Sequence, residues 1–94
     1  MKFLYSVELT FEIKGRGCVI LAHFDPKDKR PTVNIKDELI IKTEEKTIET
    51  FVKSIEMIST RIKPFRYPLA ILLPKNIRKE DIPEKSKVYI KEKS

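Results

Sequence analysis

The chain contains one cysteine, one histidine and two glycines. A lone cysteine rules out an intrachain disulfide, so a fold of this size must hold by packing alone. One cysteine and one histidine also fall short of a multi-ligand zinc site. No apolar run approaches the ~18 residues that a membrane-spanning helix needs. The opening segment, Met1 to Glu8, is apolar but is interrupted by a carboxylate too early for a signal peptide. With a free thiol and no export signal, a cytoplasmic protein is expected. A phosphate-cradling Gly-x-x-x-x-Gly-Lys-Ser/Thr loop is missing, and Gly15-Arg16-Gly17 is too short to replace it. It also leads into a strand, so no helix N-terminus backs it. Cys18 and His23 are five apart, on opposite faces of an expected strand, which disfavours a Cys–His nucleophile pair. No carboxylate pair sits in an apolar setting that would split its pKa values. The expectation is a non-enzyme without cofactor or metal.

The 94 residues suffice for one domain, spanning 1–94. A chain of this length buries roughly 60–65% of the surface exposed when unfolded, so its stability margin is thin. Residues 1–59 balance ten Lys+Arg against ten Asp+Glu, so the whole +6 excess lies in residues 60–94. Such asymmetry points to nucleic-acid or acidic partners, although a solvated lysine-rich surface produces the same count.

Strand signals run through the chain. Phe3, Tyr5, Val7, Leu9, Phe11 and Ile13 alternate with polar residues, Leu4 being the exception. This predicts one half-buried strand with a single buried face. Gly15-Arg16-Gly17 supplies a tight turn, because glycine reaches positive φ freely. Cys18 to Phe24 reads as a second, more continuously apolar strand, and Asp25 to Pro31 as a charged loop. Val33, Ile35 and Leu39 to Ile41 are strand material around a polar break. Thr47 to Ile58 is β-rich, with alternation slipping at Phe51-Val52 as at a bulge. Ile48, Phe51, Val52 and Ile55 also fit helical spacing; strand is the preferred reading. Arg61 to Tyr67 reads as a basic loop, Leu69 to Leu73 as a short buried strand and Val88 to Ile90 as a closing strand. Six or seven short strands imply a small barrel or sandwich.

Phe11-Glu12-Ile13-Lys14-Gly15-Arg16-Gly17 resembles the opening of the second domain of elongation factor Tu-like translational GTPases. Val33 to Ile41, Val52 to Met57, and Leu69 to Leu73 followed by Ile77 to Ile82 resemble later segments of that domain in the same order. The resemblance covers about residues 3–90. It implies an all-β fold, a six- or seven-stranded antiparallel barrel standing without its GTPase domain. Lys36, Ala70 and Lys85-Ser86 replace glycines usual in that family, which implies altered loop shapes or a lost close approach.

In that family the domain helps hold the aminoacyl end of tRNA, and in several members it also contacts the ribosome. By resemblance Phe11 and Glu56 sit against the terminal nucleotide, and Arg16 lies in a turn that can face RNA. Phe11 also belongs to the buried set of the first strand, and core packing is the preferred role. The expected function is a non-catalytic, translation-related module that engages RNA or a ribonucleoprotein. Its expected positive surface comprises Arg16, Arg61, Lys63, Arg66, Lys75, Arg78 and Lys79, with Glu56, and with Phe65 and Tyr67 available for stacking. Expected partners are RNA, tRNA or the ribosome, or else a protein partner or separate GTPase, with no membrane. The alternative is a protein-interaction module on the same frame.

Overall fold

In a computed structural model the described residues are 1–24, 31–56 and 67–92, the Tyr67 side chain excepted. They form strands β1 (Lys2–Ser6), β2 (Leu9–Ile13), β3 (Gly17–Phe24), β4 (Glu38–Lys42), β5 (Thr47–Phe51), β6 (Ser54–Glu56), β7 (Tyr67–Leu72) and β8 (Lys87–Ile90). A single 3₁₀ turn, Lys79–Asp81, interrupts them. The chain is all-β. Two antiparallel four-stranded sheets carry it: a first sheet in the order β1-β8-β4-β5 and a second in the order β2-β3-β7-β6.

The chain changes sheet four times, and at β1–β2 and β5–β6 it does so at a two-residue corner. Between β1 and β2, the Val7 amide donates to the Ser86 carbonyl while the Glu8 amide donates to the Leu21 carbonyl. Adjacent residues therefore pair with different sheets. Between β5 and β6, the Val52 amide donates to the Asp37 carbonyl and the Lys53 amide to the Leu72 carbonyl. Such corners let a strand supply both layers of a packed β structure. The slip in alternation at Phe51-Val52 marks the second corner, and Thr47 to Glu56 is strand rather than helix.

The core between the sheets joins Tyr5, Val7, Leu39, Ile41 and Val88 to Cys18, Ile20, Leu69, Ile71 and Leu73. Tyr5 donates its hydroxyl to the Ile20 carbonyl at 3.1 Å, and burial pushes this phenol above its ordinary range. A second cluster lies on the outer face of the second sheet, where Val19, Leu21, Ala70 and Leu72 are buried with Phe11 and Ile13 against them. Cys18 to Ala22 and Leu69 to Leu73 are consequently buried on both faces, as their unbroken apolar runs require.

The first segment departs from its expected single buried face. A register shift between Phe3 and Tyr5 puts both Leu4 and Tyr5 inside and leaves Phe3 50% exposed. Beyond the corner, Leu9, Phe11 and Ile13 belong to the second sheet and point to its outer side. Phe11 is thus half-buried on the outer cluster, not in the central core. An alternation broken only at Leu4 hides a bulge followed by a change of sheet, each of which shifts the phase of burial.

The expected strand material at Val33 and Ile35 is instead extended chain and turn, with Ile35 exposed. Tyr67 and Pro68, expected in a loop and at a strand boundary, open β7. Lys36 and Lys85 adopt φ of 77° and 73°. Each is the third residue of a four-residue turn, closed by Asp37 N–H to Asn34 O at 3.1 Å and by Ser86 N–H to Pro83 O at 3.2 Å. At both turns lysine takes the left-handed backbone position that glycine fills more readily.

Candidate nucleic-acid interface

The site begins with the β2–β3 turn. Gly15 has φ of 81° and the Arg16 amide donates to the Ile13 carbonyl at 2.9 Å, which lifts the Arg16 side chain to the surface. Gly17, at φ of 137°, lets β3 approach β7: a Cβ there would lie 2.6 Å from the Leu73 carbonyl oxygen. The turn therefore stands directly over the end of β7 and the Pro74–Ile77 turn after it.

That arrangement opens a groove of about 470 Å³ lined by Lys14, Arg16, Lys75 and Arg78, with Glu12 and Glu80. Four cations against two carboxylates make its surroundings net positive. The 3₁₀ turn forms one wall. The Arg78 amide donates to Asp81 Oδ2 at 3.0 Å, and the Lys79 amide donates to Glu12 Oε1 at 3.1 Å, tying the turn to β2. Asp81 also receives Lys46 Nζ at 3.0 Å. The Arg78 amide first, and the Lys46 ammonium second, hold the Asp81 carboxyl below its ordinary range. Two carboxylates thereby orient the turn while the side chains of Lys75, Arg78 and Lys79 remain exposed.

The second sheet supplies the other wall. Its register places Leu9, Leu21, Ala70 and Glu56 in one cross-strand row and Phe11, Val19, Leu72 and Ser54 in the next. Glu56 and Ser54 therefore edge the outer apolar face. Glu56 Oε1 accepts from Arg16 Nη2 at 2.6 Å and from Ser54 Oγ at 3.1 Å. Arg16 is half-exposed while Glu56 is largely covered, so the pair fixes a guanidinium at the border between apolar face and groove.

Of the residues expected to bind RNA, Arg16, Lys75 and Arg78 meet around one groove, Glu56 pairs with Arg16, and Lys79 flanks the groove on the 3₁₀ turn. Arg61, Lys63, Arg66 and the side chains of Phe65 and Tyr67 lie outside the described residues. Lys14 and Glu12 also line the groove without having been expected there. Their place one and three residues before the glycine turn was the available signal. A further pair went unforeseen: Glu8 receives the His23 backbone N–H at 3.2 Å and lies 3.0 Å from His23 Nδ1. The His23 side chain is 9% exposed, so it is packed under this carboxylate. Cys18 faces the central core and His23 lies five residues on, at the other end of β3. Burial, followed by the Glu12 carboxylate, pushes the Cys18 thiol up to about 11. Among the described residues no three His, Cys, Asp or Glu side chains converge as metal ligands.

No protein-family model matches the chain, and no curated protein gives a significant match.

Proposed function

We propose that this chain is a non-catalytic module that engages RNA or a ribonucleoprotein, in the cytoplasm and in translation. The observation that carries the reading is the meeting of Lys14, Arg16, Lys75 and Arg78 around the groove beneath the Gly15-Arg16-Gly17 turn. Residues about sixty apart in sequence supply cations to one surface, and phosphate contacts of that kind dominate RNA affinity. Beside the groove, the apolar outer face carrying Phe11 and Leu9 offers a bed for a base, with Arg16 and Glu56 at its rim.

The same arrangement supports the elongation-factor resemblance. The β1–β2 and β5–β6 corners join the edges of the two sheets, which is compatible with the six- or seven-stranded barrel that the resemblance implies. Phe11 and Glu56, the two positions that the resemblance sets against a terminal nucleotide, lie in neighbouring cross-strand rows of the outer face, and Glu56 pairs with Arg16 from the turn.

The reading is tested by titrating the chain with tRNA and with an unstructured RNA across salt. Binding should weaken linearly in log–log form as salt rises from ~50 to ~200 mM. Lys75→Ala and Arg78→Ala should each lower the salt slope by about one, largely regardless of RNA sequence. Salt-insensitive binding, or none at ~50 mM salt, sinks the proposal. Capture of a protein partner that survives nuclease treatment favours a protein-interaction module on the same frame.

A further inference from the structure

The first sheet turns a different surface to solvent. Its register lines up Phe3, Tyr89, Ile40 and Glu49 in one outward row and Ser6, Lys87, Lys42 and Thr47 in the next, about 6.8 Å along. Phe3 stacks edge-to-face on Tyr89 at 5.5 Å between ring centroids, and Lys42 Nζ lies 5.1 Å from the Tyr89 centroid. Phe3 remains half-exposed on an ordered strand. Its ring is fixed in place by a neighbour without being buried by it.

The charges around this aromatic pair are sorted. At one end Lys91 lies 4.0 Å from Glu38 and 3.8 Å from Glu49, so the acids there have a cation between them. At the other end Lys42 and Lys87 have no carboxylate within ion-pair distance among the described residues. They continue into a groove of about 460 Å³ that adds Lys85, with Glu44 and Glu84 on its flanks. Lys85 is held there by its left-handed backbone, its amide donating to the Val7 carbonyl at 2.8 Å.

We propose that the outer face of the first sheet is a base-stacking platform for single-stranded nucleic acid. Phe3 and Tyr89 receive the bases, and Lys42, Lys87 and Lys85 receive the phosphates. Aromatic rings presented on a strand face stack on any exposed base, whereas paired bases in a duplex have no free face to offer. The charge pattern selects this occupant over a second copy of the chain. A face-to-face dimer would bring the unpaired lysines of two copies together, while a polyanion neutralises them. This surface is distinct from the groove under the Gly15-Arg16-Gly17 turn, and it stands or falls separately.

The test is a titration of a fluorescein-labelled ten-residue oligouridylate and of a duplex of equal length at ~50 mM salt. Phe3→Ala should weaken single-strand binding about tenfold, the usual effect of losing one stacked base, and leave duplex binding unchanged. Phe3→Leu should weaken it to a similar extent, since the ring rather than its apolarity makes the contact. Tyr89→Phe should retain affinity but abolish part of the tyrosine-fluorescence quenching that the oligonucleotide causes, a readout that needs no destabilising variant. Lys42→Ala and Lys87→Ala should each lower the salt slope by about one. Wild-type affinity in Phe3→Ala and Phe3→Leu overturns the proposal, and if Lys75→Ala and Arg78→Ala still weaken binding, the groove reading survives alone. A wild-type chain that ignores the oligonucleotide and elutes as a dimer, made monomeric by Phe3→Ala, also overturns it and identifies the face as a self-association surface.

Discussion

The two sheets share one core but treat their outer faces in opposite ways. On the second sheet, Val19, Leu21, Ala70 and Leu72 are buried on the side away from the core, and an Arg16–Glu56 pair borders them. On the first sheet the corresponding side carries Phe3, Tyr89 and a set of lysines in solvent. The turns differ in the same sense. Both glycines serve the β2–β3 turn of the second sheet, whereas the connections bordering the first sheet reach positive φ with Lys36 and Lys85. Gly17 sits where backbone touches backbone, and lysine tolerates strain where the side chain is wet. The second sheet is thus built for close approach, and the first for display.

The sharpest way to break this contrast is at Gly17. Gly17→Ala should destabilise by about 3 kcal/mol or more, since the added Cβ meets the Leu73 carbonyl on a backbone that only glycine adopts freely. Denaturant melts would read this directly, and a small change would show that β3 and β7 can separate. Next come paired truncations of the two outer faces. Leu72→Ala should cost about 2–4 kcal/mol, while Phe3→Ala should cost under about 1 kcal/mol. Equal losses would erase the distinction between a packed face and a displayed one. In the other direction, Lys36→Gly should raise stability by about 0.5–1 kcal/mol by relieving the left-handed strain, seen as a higher midpoint at unchanged slope.

Two smaller effects follow from titration. The Cys18 thiol ionises near 9.0 when unfolded and only at about 11 when folded. Its contribution is therefore complete below pH 9 and declines as pH rises toward about 11. Cys18→Ala should flatten that decline in an alkaline stability profile, and the native thiol should resist alkylation at neutral pH. Asp81 is lowered from 3.8, so its stabilisation is present above that value and lost as pH falls through the lower folded value. Because Asp81 is exposed, Asp81→Asn should change the acid melting curve only slightly, and less at high salt.

Much of the strand content was readable because its cause is local. Cys18 to Ala22 and Leu69 to Leu73 have apolar side chains at every position, and only burial on both faces satisfies such runs. Thr47 to Glu56 was legible as strand for its β-branched and aromatic content, and its slip in alternation located a corner. The first segment was legible as strand but not as two strands. Phe3, Leu9 and Phe11 fit the alternation as well as Tyr5 and Val7 do, and nothing in their chemistry tells which sheet each joins. The groove was half legible. Arg16, Lys75 and Arg78 stand out in the sequence as cations, Arg16 within a turn, but their meeting depends on Gly17 letting two strands close, a tertiary fact. The Glu8–His23 pair is likewise a product of the β1–β2 corner, which brings the two strands' ends together.

The pairing of Lys2 with Ile90 has a consequence for how the chain comes to be folded. On the ribosome, β2 and β3 can form a hairpin as soon as they emerge, since only a short turn separates them. β1 cannot follow, because its neighbour β8 emerges only after the seven other described strands. β4 waits for the same strand on its other side. Until then Tyr5, Leu39 and Ile41 lack one wall of their core, and the nascent chain presents them to solvent or to a chaperone. Loop closure between strands so far apart in sequence then sets the pace, placing folding in the slow, millisecond-to-second range of non-local β topologies.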